Sequence, residues 1–238
     1  METSIQLTWP PAYNLRLSRK ARHAHIKVIP NQGLEVVIPA RQHKSFDIAA
    51  LLAQKKGWIE KHLATLKIRP LEYIDRFNLH SINQTWNIEY QQTLAKNIRA
   101  IIRPGNDTHT MILHGNVNNL ALANRWLQAW LKEVAREHLL PWLYALSVEH
   151  DLPYNKAAIR AQQTLWGSCT TDKNISLNYK LLFIPRNHAE HVMLHELCHT
   201  KHLNHSKRFW NLLNRLDPAT EMHNRAIREA DQYVPVGF

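Results

Sequence analysis

Residues 186–199 constrain this chain more than any other stretch. Val192, Met193, Leu194 and Leu197 give it an apolar lining, and Pro185-Arg186-Asn187 supplies a helix start signal. Within that helix stand His195, Glu196 and His199. Residues four apart project from one helical face, so the two imidazoles point the same way with Glu196 beside them. A fold that buries this helix must provide partners for two imidazoles and a carboxylate, because burying them bare costs free energy. One metal ion, reached by both imidazoles, is the partner that fits the spacing.

The pattern His-Glu-x-x-His is also the signature of zinc-dependent hydrolases, in which the Glu serves as a general base beside the metal and outside its ligand set. With 16 His and the Glu content of this chain, accidental occurrence is about 0.05 per sequence, so the motif alone is moderately specific. A catalytic zinc site needs a third protein ligand and one open position. His205 follows His199 by six residues, too far to continue the helical face. A chain reversal near Leu203-Asn204 brings it back, since Asn tolerates the left-handed conformation. His202, three residues after His199, is the rival, although a straight helix carries it past the metal. His188 and His191 extend the stripe upstream and read as surface or supporting residues.

The two cysteines, Cys169 and Cys198, do not form a disulfide framework. Cys198 reads as a small buried hydrophobe, with a thiolate ligand as the alternative. No run approaches the length of a membrane span, and Met1 to Pro11 lacks the regions of a signal peptide. The expectation is a soluble cytoplasmic protein with no membrane partner. A formal net charge of +11 suggests nucleic acid or another polyanion as a possible partner, and basic residues are densest over Arg16 to Lys27.

Taken in order, Ala24–Pro30 and Leu34–Pro39 read as two strands around a turn at Asn31-Gln32-Gly33. Ser45 to Lys67 reads as a helix capped by Ser45, interrupted near Gly57 and closed by Pro70. Three strand-like runs follow over 85–90, 98–102 and 110–113, and His114 to Asn119 reads as a junction. Leu120 to His150 is strongly helical, with Pro141 expected to kink or split it. Leu165–Thr170 and Ile175–Leu182 form a hairpin ahead of the metal helix; beside a metal, such a strand binds extended peptide through main-chain hydrogen bonds. Phe209, Trp210, Leu212, Leu213 and Leu216 mark a helix that packs behind the metal, with Ser206 as its cap, and Ala219 to Tyr233 is a last helix.

Four segments occur in a definite order: Trp166-Gly167-Ser168-Cys169, Asn178-Tyr179-Lys180-Leu181, His195-Glu196-Leu197-Cys198-His199, and Asn204-His205-Ser206 with Phe209-Trp210. Together they resemble the YgjP-like metallopeptidases, relatives of the SprT-like zinc metalloproteases, over the whole chain. The resemblance implies Zn²⁺ held by His195, His199 and His205, Glu196 as catalytic base, and a peptide or protein substrate. Two departures stand out: Cys198 occupies a position where the family often has Ala, and Leu165 one where it often has a basic residue. The expected architecture is α+β, with a small β-rich basic module containing one helix over 1–116 and a zincin-like metallopeptidase domain over 117–238. The competing expectation is a basic, nucleic-acid-associated binding protein whose zinc is structural, closed by four protein ligands with Cys198 as the fourth. Glu196 argues against it, since a structural site has no use for a base. The donor that stabilises an oxyanion is not identified by spacing; Tyr179 and His223 are the residues to examine.

Overall fold

The computed structural model describes residues 9–29, 33–41, 43, 45–65 and 72–238. The chain divides into two compact units, 1–70 and 71–238. In the first, strands β1 (Tyr13–Ser18), β2 (His25–Ile29) and β3 (Gly33–Pro39) form a sheet of order β1-β3-β2. β2 and β3 are antiparallel, with Ile26 opposite Val36 and Val28 opposite Leu34, whereas β1 runs parallel to β3. Helices α1 (Ile48–Gln54) and α2 (Lys56–Thr65) cover this sheet. Leu34, Val36 and Ile38 alternate along β3 and cluster with Leu52 and Ile59 of the two helices.

Two local features differ from the sequence reading. The helical segment is capped by Asp47, whose Oδ1 accepts from the Ala50 amide at 2.9 Å; a carboxylate three residues before the amide satisfies an otherwise orphaned donor. The break falls at Lys55 and not at Gly57. The turn expected at Asn31-Gln32 and the helix end expected at Lys67–Pro70 lie outside the described residues.

The second unit begins with β4 (Arg76–Leu79), β5 (Gln84–Gln92), β6 (Arg99–Arg103) and β7 (Thr108–Gly115), in the order β4-β5-β7-β6. The four-residue β4 escapes a reading by periodicity, being too short to repeat. Helix α3 (Leu120–Glu149) starts at Asn119, whose Oδ1 accepts from the Leu122 amide at 3.1 Å. Pro141 lies inside α3 without ending it. One missing hydrogen bond is offset because Leu139, Leu143 and Leu146, on both sides of the proline, are buried in the core.

A second sheet, β8 (Lys156–Arg160), β9 (Gly167–Cys169) and β10 (Asn174–Asn178), has the order β8-β10-β9, with β9 antiparallel to β10 at the edge. After a 3-10 turn at Tyr179–Leu182 come α4 (Arg186–Cys198), α5 (Lys207–Leu216) and α6 (Thr220–Arg228). The expected last helix gives way to a 3-10 turn at Ala230–Tyr233. A single core joins these parts: Phe77, Trp86 and Met111 of the β4-β5-β7-β6 sheet, Leu127 and Leu131 of α3, Met193 and Leu197 of α4, and Phe209 of α5. Residue 116, the expected boundary, stands between β7 and α3, both within the second unit. No described helix is long and apolar enough to cross a membrane.

Candidate metal centre

Helix α4 is held by its apolar residues: Met193, Leu197 and Cys198 are fully buried, and Leu194 nearly so. It ends by tightening. The Thr200 and Lys201 amides donate to the Leu197 and Cys198 carbonyls at 3.0 and 3.1 Å, a three-residue spacing, and the Thr200 hydroxyl donates to the Leu197 carbonyl at 2.8 Å. His199 stands one residue past the helix but keeps helical dihedrals, φ −66 and ψ −17, so its four-residue relation to His195 survives. The reversal uses no left-handed residue at Asn204; among the described non-glycine residues only Asn83, Asp151 and Lys173 have positive φ.

The reversal brings His205 back against the helix. One ring nitrogen from each of His195, His199 and His205 lies within 4.8 Å of the others. His195 Nε2 and His205 Nε2 are 3.0 Å apart. His199 Nδ1 donates to the His202 carbonyl at 3.0 Å; because a carbonyl only accepts, Nδ1 carries the proton and Nε2 presents its lone pair. His202 thus meets this group through its backbone carbonyl. Burial, reinforced by the neighbouring His199 and His205 rings, holds His195 down to about 3. Burial also lowers His199, partly countered by its hydrogen bond to the His202 carbonyl. Both imidazoles are therefore neutral at physiological pH, which is the form that binds metal.

Aromatic side chains from α5 brace the three rings. Phe209, fully buried, has its ring centroid 4.9, 4.6 and 4.7 Å from those of His195, His199 and His205. Trp210 stacks on His205 at 5.6 Å and 28°. Ser206 is the N-cap of α5 by position, without a side-chain capping bond. Cys198 belongs to the apolar core, and burial pushes its thiol up to about 12, which disfavours the thiolate that a metal would need.

Glu196 packs against Gly167 of the edge strand β9. Its Oε2 is buried and has no hydrogen-bond partner among the described residues, and burial pushes the carboxyl up to about 8. A buried carboxyl with no partner is costly unless water or a cation attends it. The converging ring nitrogens of His195, His199 and His205, with the orphaned oxygen of the residue next to His195, fit a bound divalent cation. Gly167 makes the close approach possible: a Cβ there would lie 2.7 Å from Glu196 Cγ and 2.8 Å from Oε1. Gly167→Ala is accordingly expected to displace Glu196 and lower any activity that depends on it by about 100-fold. Its metal content should stay at the wild-type value. Elemental analysis beside a rate measurement checks both, and an unchanged rate would show that the contact is not needed.

A second polar cluster was not assigned from the sequence. His191, read as a surface or supporting residue, is 3% exposed. Its Nδ1 and that of His223 both donate to Asp217 Oδ2, at 2.5 and 2.8 Å. Burial raises the Asp217 carboxyl, but hydrogen bonds from His223 and His191 outweigh this and hold it below its ordinary value. The His191–His195 spacing of four was the only available signal; nothing near Asp217-Pro218 announces a ligand-rich cluster. Tyr179 is buried in the core and His223 is committed to Asp217 and Asn187, so neither belongs to the three-imidazole group.

No curated protein and no solved structure matches this chain. A family model does: that of the YgjP-like metallopeptidase domain, over residues 22–230. That span takes in both compact units, the edge strand β9, the helix α4 and all three imidazoles beside Glu196. By this match the chain belongs to the YgjP-like metallopeptidase family.

Proposed function

We propose that the chain is a zinc metallopeptidase of zincin-like architecture in which His195, His199 and His205 hold Zn²⁺ and Glu196 is the general base. The observations that carry this reading are the convergence of three imidazoles and the buried carboxyl oxygen of Glu196, the residue next to His195, without a partner among the described residues. When bound, zinc supplies Lewis-acid activation of water and of the scissile carbonyl. Glu196 Oε2 takes the proton of the attacking water and delivers it to the leaving amine. Phe209 and Trp210 keep the imidazoles in position, and Gly167 lets the carboxylate reach the reacting atoms. As the edge strand of its sheet, β9 is suited to pairing with an extended peptide substrate through main-chain hydrogen bonds. Full-length protein is expected to hydrolyse unfolded protein or peptide substrates, to lose that activity after chelation, and to regain it when Zn²⁺ is added back. Hydrolysis that persists at full rate in metal-stripped protein would sink the proposal.

The first compact unit supports a further partner. Residues 1–70 hold 12 Lys and Arg against 4 Asp and Glu, so +8 of the net +11 lies there. Arg19, Lys20, Arg22 and Arg41 line one concave site at the ends of β1 and β3, and their side chains make no ion pair or hydrogen bond with another described residue. Such a cluster suits a phosphate backbone. We infer that this unit brings the peptidase to nucleic acid. Four phosphate contacts to a single strand would weaken binding by about 50-fold between roughly 50 and 200 mM salt. Fluorescence anisotropy with a labelled oligonucleotide checks this; absence of binding at the lower salt, or binding unaffected by Arg19→Glu with Arg41→Glu, contradicts it.

A further inference from the structure

One helical turn before His195 lies a second convergence of ligand-type side chains. His191 of α4, Asp217 at the C-cap of α5 and His223 of α6 are 3%, 8% and 8% exposed, and one ligand atom of each lies within 4.8 Å of the others. The ring centroids of His191 and His195 are 6.5 Å apart, and the two groups share no residue. Gathering two imidazoles and a carboxylate from three elements into a core costs desolvation that only a matching set of partners offsets.

The hydrogen-bond directions suggest what the partner is. A neutral imidazole donates from one nitrogen only. His191 Nδ1 faces Asp217 Oδ2 at 2.5 Å, while its Nε2 stands 3.1 Å from Asn224 Oδ1, so both nitrogens face acceptors. A ring protonated on both nitrogens serves these partners, and so does a ring whose Nδ1 binds a metal while Nε2–H donates to Asn224. The second arrangement is the usual one around ligating histidines, whose free nitrogen is held by an amide or carboxylate oxygen. His223 differs: its Nδ1 lies 2.8 Å from Asp217 Oδ2, but its Nε2 stands 3.2 Å from Asn187 Nδ2, a donor, so a metal at Nδ1 requires the Asn187 amide to turn over and present its oxygen to Nε2–H.

The three residues also border a cavity of about 540 Å³, together with Asn187 and Glu190. Buried donors that open onto a polar cavity have both an entry path for an ion and room for solvent to complete its coordination.

We propose that His191, Asp217 and His223 form a second metal site that takes a divalent transition ion. Two imidazole nitrogens and one carboxylate oxygen are a borderline donor set, suited to Zn²⁺ and its neighbours and poorly suited to Ca²⁺ or Mg²⁺. Bound there, the ion ties α4 to the α5–α6 junction and fixes the helix that presents His195 and Glu196. Its role is to position that helix, and it touches no reacting atom.

The test separates this site from the catalytic one. Full-length protein carrying His195→Ala, His199→Ala and His205→Ala is stripped with chelator, loaded with Zn²⁺ or Co²⁺, desalted and analysed for metal, with circular dichroism as the check on folding. The expected result is one ion per chain, visible with Co²⁺ as d–d absorption, and lost when Asp217→Asn is added. A folded triple variant that retains no metal, or metal that survives Asp217→Asn, overturns the proposal and leaves a hydrogen-bonded His–Asp–His network. If the triple variant does not fold, Asp217→Asn and His223→Gln in the otherwise wild-type chain decide. A drop from two ions to one supports the site, and an unchanged content overturns it.

Discussion

Glu196→Gln is expected to lower peptide hydrolysis by about 1,000-fold, within the range that a positioned general base contributes. Glutamine keeps the length and shape of the side chain, so the close packing against Gly167 is retained. It removes only the capacity to accept and return a proton. Because Glu196 is not among the three residues whose ring nitrogens converge, metal content should match the wild type. The loss should appear in kcat and leave KM nearly unchanged, since the group acts in the transition state and not in holding the peptide. Rates on a fluorogenic peptide, measured beside elemental analysis, check both parts. A variant that hydrolyses at the wild-type rate rules out Glu196 as the base, whatever the metal content.

Helix α4 was legible in the sequence because its two requirements coincide there. Val192, Met193, Leu194 and Leu197 set the buried lining, and the four-residue spacing of His195 and His199 sets a shared face. The β2–β3 pair was legible for the same kind of reason, through Ile26, Val28, Leu34 and Val36 alternating around a turn. Other features depend on long-range contact, which local patterns do not carry. β4 has four residues and exists because β5 pairs with it. Pro141 suggested a break in α3, but leucines packed on both sides of it hold the helix through.

The site divides in the same way. The return of His205 was anticipated; the helix ends earlier than expected, tightening at Thr200 and Lys201, and the chain then bends at Leu203 and Asn204. The close approach of Gly167 to Glu196 joins residues 29 positions apart, and no spacing rule announces it. The His191–Asp217–His223 cluster spans three helices. His191 looked like an exposed extension of a His stripe because a helical wheel does not show that α6 covers that turn.

The second large effect concerns His205, which no helical periodicity ties to the motif. His195 and His199 are preorganised by α4, whereas His205 arrives from the loop before α5 and is held by stacking on Trp210 and contact with Phe209. Removing its imidazole leaves two protein ligands, one short of the three that a catalytic zinc site uses. His205→Ala should therefore lose hydrolysis to background. The fold should survive, because the side chain is exposed and contributes little to the core. The most direct measurement is the zinc content of wild type and His205→Ala, purified side by side without chelator and analysed per folded chain. The three-imidazole centre predicts one zinc fewer per chain in the variant. Equal zinc contents in the two proteins would contradict it.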